Sequence, residues 1–371
     1  MEPSPERLHA LLALMAASGQ TAHAAVVARL ETAFGPIETW WRRRAAVVAS
    51  DPSCGLLTVP ALDRAAEDAH RVLTTLGWRS LEPVAVSELA AIPDPPPLLF
   101  VRGPAALPID GVAMVGARRA SAYGLRMTSS LAEGLAGEGV PVLSGLARGI
   151  DAAAHRAALR AGGVTVAVLG SGPDKTYPAE HVGLADAIAE NGLLVTEFLP
   201  GTPPLPHHFP RRNRILAAMA RVVVLVEARL RSGSLSTVKW AADLGRDVLV
   251  VPGPVDHELG EGPMQLLREG AHPVATVDDV LGAMGRSRRT VATVADPSSL
   301  DASAAIDDEG RRLLALLGGE GADLDTLLRL SGLPVASVME RVLELEVSGV
   351  LLRSEDGRTF RSALTKAGRG P

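Results

Sequence analysis

This sequence is poor in sulfur, in lysine and in long apolar runs, and each shortage closes off a class of protein. With a single cysteine, Cys54, among 371 residues it forms no intramolecular disulfide and no cysteine-built zinc site. Its nine histidines are scattered apart from the adjacent His207 and His208, which lack the three- or four-residue spacing that aims two rings from one helix at one ion. No metal and no other cofactor is therefore expected. No apolar run reaches the roughly 18 residues of a membrane span, and no basic-then-apolar leader opens the chain, so a cytoplasmic protein without a membrane span is expected. Only Lys175, Lys239 and Lys366 are lysines; the other 34 basic residues are arginines. A GC-rich genome accounts for most of that bias, but arginine is also the side chain that grips a phosphate with two parallel hydrogen bonds.

What is present is an ordinary globular composition, 47% hydrophobic and 21% charged, in a chain long enough for two or three domains. The net charge of −5 is not the footprint of a nucleic-acid binder. Its distribution is more telling, because six arginines between Arg211 and Arg231 face one acid, Glu227.

Residues 5 to about 77 place apolar residues at helical spacing (Leu8, Leu11, Leu12, Met15; Val26, Val27, Leu30), with turns at Gly19-Gln20 and Gly35-Pro36, and read as a small all-α unit. Pro93 to Pro97 read as a stiff linker. Strands are then expected at Leu98–Val101, Val112–Val115, Val140–Leu143, Val164–Leu169, Leu194–Thr196, Val222–Val226 and Val248–Val251, with helical segments between most of them. Strand, glycine turn and helix, repeated, imply a parallel sheet covered on both faces. From Gly282 to Ala305 the chain is small, polar and aperiodic, as linkers are. Three short helical patterns (309–317, 324–330, 335–347), the pair Leu351-Leu352 and the turn signal Asp356-Gly357 then outline a winged helix.

Four motifs carry chemistry. The strand Val164–Leu169 runs into Gly170-Ser171-Gly172-Pro173-Asp174-Lys175, where two glycines are expected to turn the backbone and offer N–H groups to an anion. Lys175 stands where a dinucleotide fingerprint has its third glycine, which disfavours an NAD-dependent oxidoreductase. Ser232-Gly233-Ser234-Leu235-Ser236-Thr237 precedes the helical pattern Val238–Leu244 and suits either an anion or ordinary helix capping. Asp151 is read as a helix cap and, with His155 four residues on, as an intrahelical polar pair or an acid–base pair. Phe209-Pro210-Arg211-Arg212-Asn213-Arg214 combines guanidiniums for phosphate with an aromatic platform for a base, the chemistry of single-strand binding.

Taken in order, IPDPPPLLFVRG, VGARRASAYG, SGLARGIDAAAH, LGSGPDKTYP, TEF, FPRRNR and SGSLSTVKWAADLGRDVLVVPGPV, between Pro93 and Ala271, resemble the DNA-processing protein A family (DprA, also called Smf). The resemblance implies an extended Rossmann-like α/β core (93–284) after a sterile-alpha-motif-like helical domain (1–80), then a linker (285–305) and a winged-helix domain (306–366). It also implies a homodimer that binds single-stranded DNA and helps load the RecA recombinase in natural transformation. By position, Arg118 after the Gly116 turn would hold a DNA phosphate. Asp174, Lys175 and Tyr177, with Gly170 and Gly172 before them, and Phe209, Arg211, Arg212, Asn213 and Arg214 would lie in or near the same basic pocket, with Arg148, Ser232 and Gly233 as neighbours. Alanine at Arg118, or at Arg211 and Arg212 together, is expected to weaken DNA binding and leave the fold intact. The chain departs from the family pattern at His181, where asparagine is usual, and at Met264 in Gly262-Pro263-Met264-Gln265-Leu266, where the family often carries an asparagine.

The competing reading is a nucleotide-processing Rossmann-like enzyme of the lysine-decarboxylase-like group. Against it, Ser232–Thr237 lacks that group's paired glycines and the next helix offers Asp243 but no glutamate, so no complete catalytic constellation is visible and a non-enzyme is expected. A sequence-specific regulator acting through the winged helix is the third reading. The third helix of that module carries Glu340, Glu344 and Glu346 against Arg341, a charge balance that repels phosphate, so the module is expected to add little DNA affinity.

Overall fold

The computed structural model describes residues 2–17, 24–41, 59–83, 87–107, 110–287, 308–317, 322–347, 351–353 and 359–361. The turn at Gly19-Gln20, the Asp356-Gly357 turn, Cys54 and most of the linker lie outside them.

The chain opens with helices α1 (Pro5–Ala17), α2 (Ala24–Phe34), α3 (Ile37–Trp41) and α4 (Val59–Thr75). Leu11, Leu12, Met15 and Leu73 are fully buried, and their cluster runs on into Leu98, Phe100 and Leu194, so these helices pack against one end of the sheet. Strand β1 (Arg79–Leu81) and the short α5 (Ser87–Ala90) precede the proline segment. That segment is packed rather than free, since Pro96 and Pro97 are buried and Asp94 meets Arg211 at 3.5 Å.

The core then runs β2 (Leu99–Arg102), β3 (Gly111–Val115), α6 (Ala122–Gly137), β4 (Val142–Ser144), α7 (Ile150–Arg160), β5 (Thr165–Val168), α8 (Val182–Asn191), β6 (Leu193–Thr196), α9 (His208–Met219), β7 (Ala220–Leu225), α10 (Ser234–Asp243), β8 (Asp247–Val250), α11 (Glu261–Arg268), β9 (His272–Pro273) and α12 (Val277–Ala283). Gly282 and Ala283 thus belong to a helix and not to the linker. The sheet order is β1-β2-β6-β5-β4-β3-β7-β8-β9. From β6 to β9 all pairings are parallel, while β2 joins β6, and β1 joins β2, antiparallel. Val112 and Met114 feed one buried cluster and Ala113 and Val115 the other, which is why β3 is apolar throughout. The seven expected strands are present within two residues of their expected ends; β1, β9 and the antiparallel edge were not legible.

Successive strands are added to one side from β3 to β6, and the chain then returns to place β7 on the other side of β3. The strand order reverses between β3 and β7, the place where open α/β sheets open a crevice at their carboxyl ends. That place is the end of β3 and β7, not the glycine turn after β5.

The C-terminal module comprises α13 (Asp308–Leu316), α14 (Leu324–Ser331), α15 (Val335–Val347) and the antiparallel pair β10 (Leu351–Arg353) and β11 (Thr359–Arg361). Its core contains Leu313, Leu327, Val338, Val342 and Leu351.

Candidate functional site

A crevice of about 560 Å³ opens at the carboxyl ends of β3 and β7. Gly116 to Arg119 form one wall; Arg229, Arg231 and Ser232 to Ser234, leading into α10, form the other. Arg212, Asn213 and Thr237 reach it from α9 and α10. Arg118, Arg119 and Arg231 are exposed, and among the described residues none of the three has an ion-pair partner. Arg229 by contrast is paired with Glu258.

At the mouth, the Arg118 guanidinium lies 5.3 Å from the centroid of the Phe209 ring. Phe209 in turn meets Tyr177 at 5.5 Å between ring centroids, tilted by 48°. Gly170 makes room for this stack, because a Cβ there would stand 2.8 Å from the Phe209 ring. Its contribution is space for an aromatic ring rather than an anion cradle. Gly172 is buried and its N–H already donates to Thr202 O at 3.0 Å, so the glycine turn after β5 does not offer that group to a ligand. Asp174 accepts from Gly201 N at 2.7 Å and pairs with Lys175 at 3.3 Å, bracing an exposed loop. Arg148 pairs with Glu180 at 2.5 Å beside Tyr177.

The arginine run is split by its own helix. On α9 each residue advances about 100°, so neighbours cannot share a face. Arg211 and Arg214, three apart, both reach Glu197 Oε2, at 3.2 and 2.5 Å, and Arg214 is only 3% exposed. Arg212 turns the other way and is 4% exposed; its guanidinium donates to Gly145 O (2.8 Å), Val168 O and Asn213 Oδ1 (3.0 Å). Burial lowers its pKa to about 10, against the opposing pull of Asp151. Asn213 donates to Gly233 O (3.3 Å) and Ser236 Oγ (2.6 Å), anchoring the start of α10. These groups hold the crevice together, which corrects the expectation that all three arginines are free for phosphate. The wider cluster is dispersed too, because Arg221 is the second residue of β7 and Arg229 and Arg231 lie beyond its far end. Glu227, buried, accepts from Ser121 N at 2.9 Å and from the Ser121 hydroxyl, fixing the residue that caps α6.

Asp151 is the second residue of α7 and not its cap; its carboxylate turns back to accept from Gly145 N (3.0 Å) and Ala147 N (3.3 Å). Burial raises its pKa. Between those two donors Leu146 takes φ +60°, a strained conformation for leucine, and its carbonyl accepts from His181 Nδ1 at 2.9 Å. His181, the departure noted above, thus pins the same loop. His155 makes no pair with Asp151: its Nδ1 donates to Thr165 Oγ1 at 2.7 Å, and burial lowers its pKa to about 3. Helix α10 begins four residues before its expected start, so Ser234 to Thr237 are helical; Ser232 Oγ meets Ser234 Oγ at 2.7 Å. Arg119, Arg229, Arg231 and Thr237 are among the polar crevice residues not expected from the sequence, although Arg119 adjoins Arg118 and Arg231 adjoins Ser232.

The sequence profile of the DNA recombination-mediator protein A family matches residues 82–285, more than half of the chain, including every wall of the crevice. The chain belongs to that family. A second profile, that of the DprA winged helix domain, matches residues 271–357. A Mycobacterium tuberculosis protein bearing the name DNA processing protein DprA is 40% identical over 354 residues, 90% of each chain. Protein Smf of Escherichia coli is 39% identical over 269 residues, 71% of each. The crystal structure of DNA processing protein A from Streptococcus pneumoniae superposes with a TM-score of 0.61 at 34% identity, covering 76% of this chain and 98% of that one. The Helicobacter pylori DNA processing protein A, a structure described for its single-stranded DNA binding mode, superposes at 0.52 and 28% identity, covering 57% and 97%. In this member of the DNA recombination-mediator protein A family, none of the helices among the described residues is long and apolar enough to cross a membrane.

Proposed function

We propose that this protein binds single-stranded DNA at the β3–β7 crevice with little sequence preference, and that it passes the strand to the RecA recombinase during natural transformation. The observation that carries the reading is Arg118, an exposed guanidinium with no ion-pair partner among the described residues, stacked on Phe209 beside Tyr177 at the mouth of the crevice. Arg118, Arg119 and Arg231 supply cations for the backbone, and Tyr177 and Phe209 supply faces on which any base can stack. The single-stranded DNA binding of the Helicobacter pylori relative supports it. We read the protein as a mediator rather than an enzyme, because the two carboxylates at the crevice are engaged, Asp151 by loop N–H groups and Glu258 by Arg229. Dimerisation and the RecA step come from the family resemblance.

The test is a fluorescence-anisotropy titration of a labelled oligonucleotide against duplex of the same sequence. With about three phosphates neutralised, log affinity should fall with log salt at a slope near roughly −2. Arg118→Ala should cost on the order of 1–3 kcal/mol with an unchanged melting curve. Preference for duplex, salt-independent binding, or normal affinity in Arg118→Ala would defeat the reading. Failure to speed RecA assembly on single strands would remove the RecA step alone.

A further inference from the structure

The C-terminal module carries a surface that DNA binding by the core leaves unused. On α15, Val338, Val342 and Leu345 are buried in the module's own core. Val335, Met339 and Leu343, four apart and therefore in one row, are 62%, 52% and 60% exposed, and Leu330 of α14 is 55% exposed. The adjoining row carries Glu340 and Glu344, both exposed. Arg341, the one cation of the helix, reaches Glu344 at 2.5 Å and Glu309 at 3.9 Å, so its charge is already countered. An apolar row edged by carboxylates repels phosphate and suits a basic, apolar protein surface.

Such a surface lies on the core. Arg118, Arg119 and Arg231 stand at the crevice, and the loops after β7 and β8, tied together by the Arg229–Glu258 pair, expose Leu230 (51%) and Val255 (81%). The structure rests β11 against α6, and residues 288–307, which connect the two parts, span roughly 70 Å when fully extended, ample for the module to leave that position and reach its own crevice.

We propose that α15 docks on the crevice mouth of its own chain when no DNA is bound, its apolar row on Leu230 and Val255 and its glutamates where phosphates would sit. A single strand then displaces it. The regulatory sense of this contact rests on the DNA-binding reading above; the contact itself does not.

The test uses the full chain with Cys54→Ser, Met339→Cys and Val255→Cys, so that the two new thiols are the only ones present. Mild oxidation should give a cross-linked species of monomer mass, formed at a rate independent of protein concentration, as an intramolecular contact requires. Added oligonucleotide should suppress it. Separately, Met339→Gln with Leu343→Gln, which adds no charge and alters only exposed positions, should tighten oligonucleotide binding about threefold at low salt with unchanged melting. No cross-link, cross-links only between chains, or unchanged affinity in the glutamine variant would overturn the proposal. A concentration-independent cross-link in a protein that binds no oligonucleotide would uphold the docking and defeat the DNA reading instead.

Discussion

Replacing Arg212 by methionine should destabilise the core, the opposite of what a free phosphate-gripping arginine would do. The guanidinium satisfies the carbonyls of Gly145 and Val168 at the ends of β4 and β5 and the amide oxygen of Asn213. It also fills space that Gly145 leaves, since a Cβ there would stand 2.3 Å from it. Methionine has similar length and no donors. Two buried carbonyls then lose their partner at about 1–3 kcal/mol each, offset in part because a cation no longer has to be desolvated. The balance is a loss of about 3 kcal/mol, which for a core of this size lowers the melting temperature by roughly 6–12 °C. Arg212 also counters the charge of Asp151, which burial holds protonated to higher pH than usual. Adding Asp151→Asn to Arg212→Met should therefore cost less than the sum of the two changes, with a coupling of about 0.5–3 kcal/mol. Thermal melts of the four proteins of the cycle measure it. An Arg212→Met protein that melts like the wild type but binds oligonucleotide tenfold more weakly would refute the argument and return Arg212 to the DNA surface.

Two further outcomes are expected. Gly170→Ala puts a methyl group against the Phe209 ring, so the stack beneath Arg118 should shift, with about 1–3 kcal/mol of overpacking strain and a severalfold loss of oligonucleotide affinity; unchanged binding in a folded variant would separate the stack from the DNA path. His155 titrates near 6.5 when unfolded and near about 3 when folded, so the fold binds fewer protons between those values; the stability present above pH 6.5 is lost as the pH falls, by about 2 kcal/mol between pH 7 and pH 5. Urea titrations at the two pH values should show a smaller loss for His155→Gln than for wild type, and equal losses would mean that the ring is protonated in the fold.

Repetition and composition made the sheet legible, because a strand buried on both faces must be apolar along its whole length and must end in a turn that the sequence marks with glycine. β3, buried throughout and running straight into Gly116, is of that kind. The ordered motifs from VGARR to SGSLST were likewise enough to point to the family and to bring Arg118, Tyr177, Phe209 and Ser232 into one list. What the linear order withheld was strand placement. Nothing in Val222–Val226 says that this strand lies beside β3 rather than beyond β6, and that choice alone puts the crevice between residues 116–119 and 229–234. Direction within a helix was withheld as well. Arg211, Arg212 and Arg214 are near neighbours in sequence, but a 100° turn per residue sends two to Glu197 and one beneath Gly145, and only the packed structure decides which cations are taken up inside and which, like Arg118, Arg119 and Arg231, remain outside.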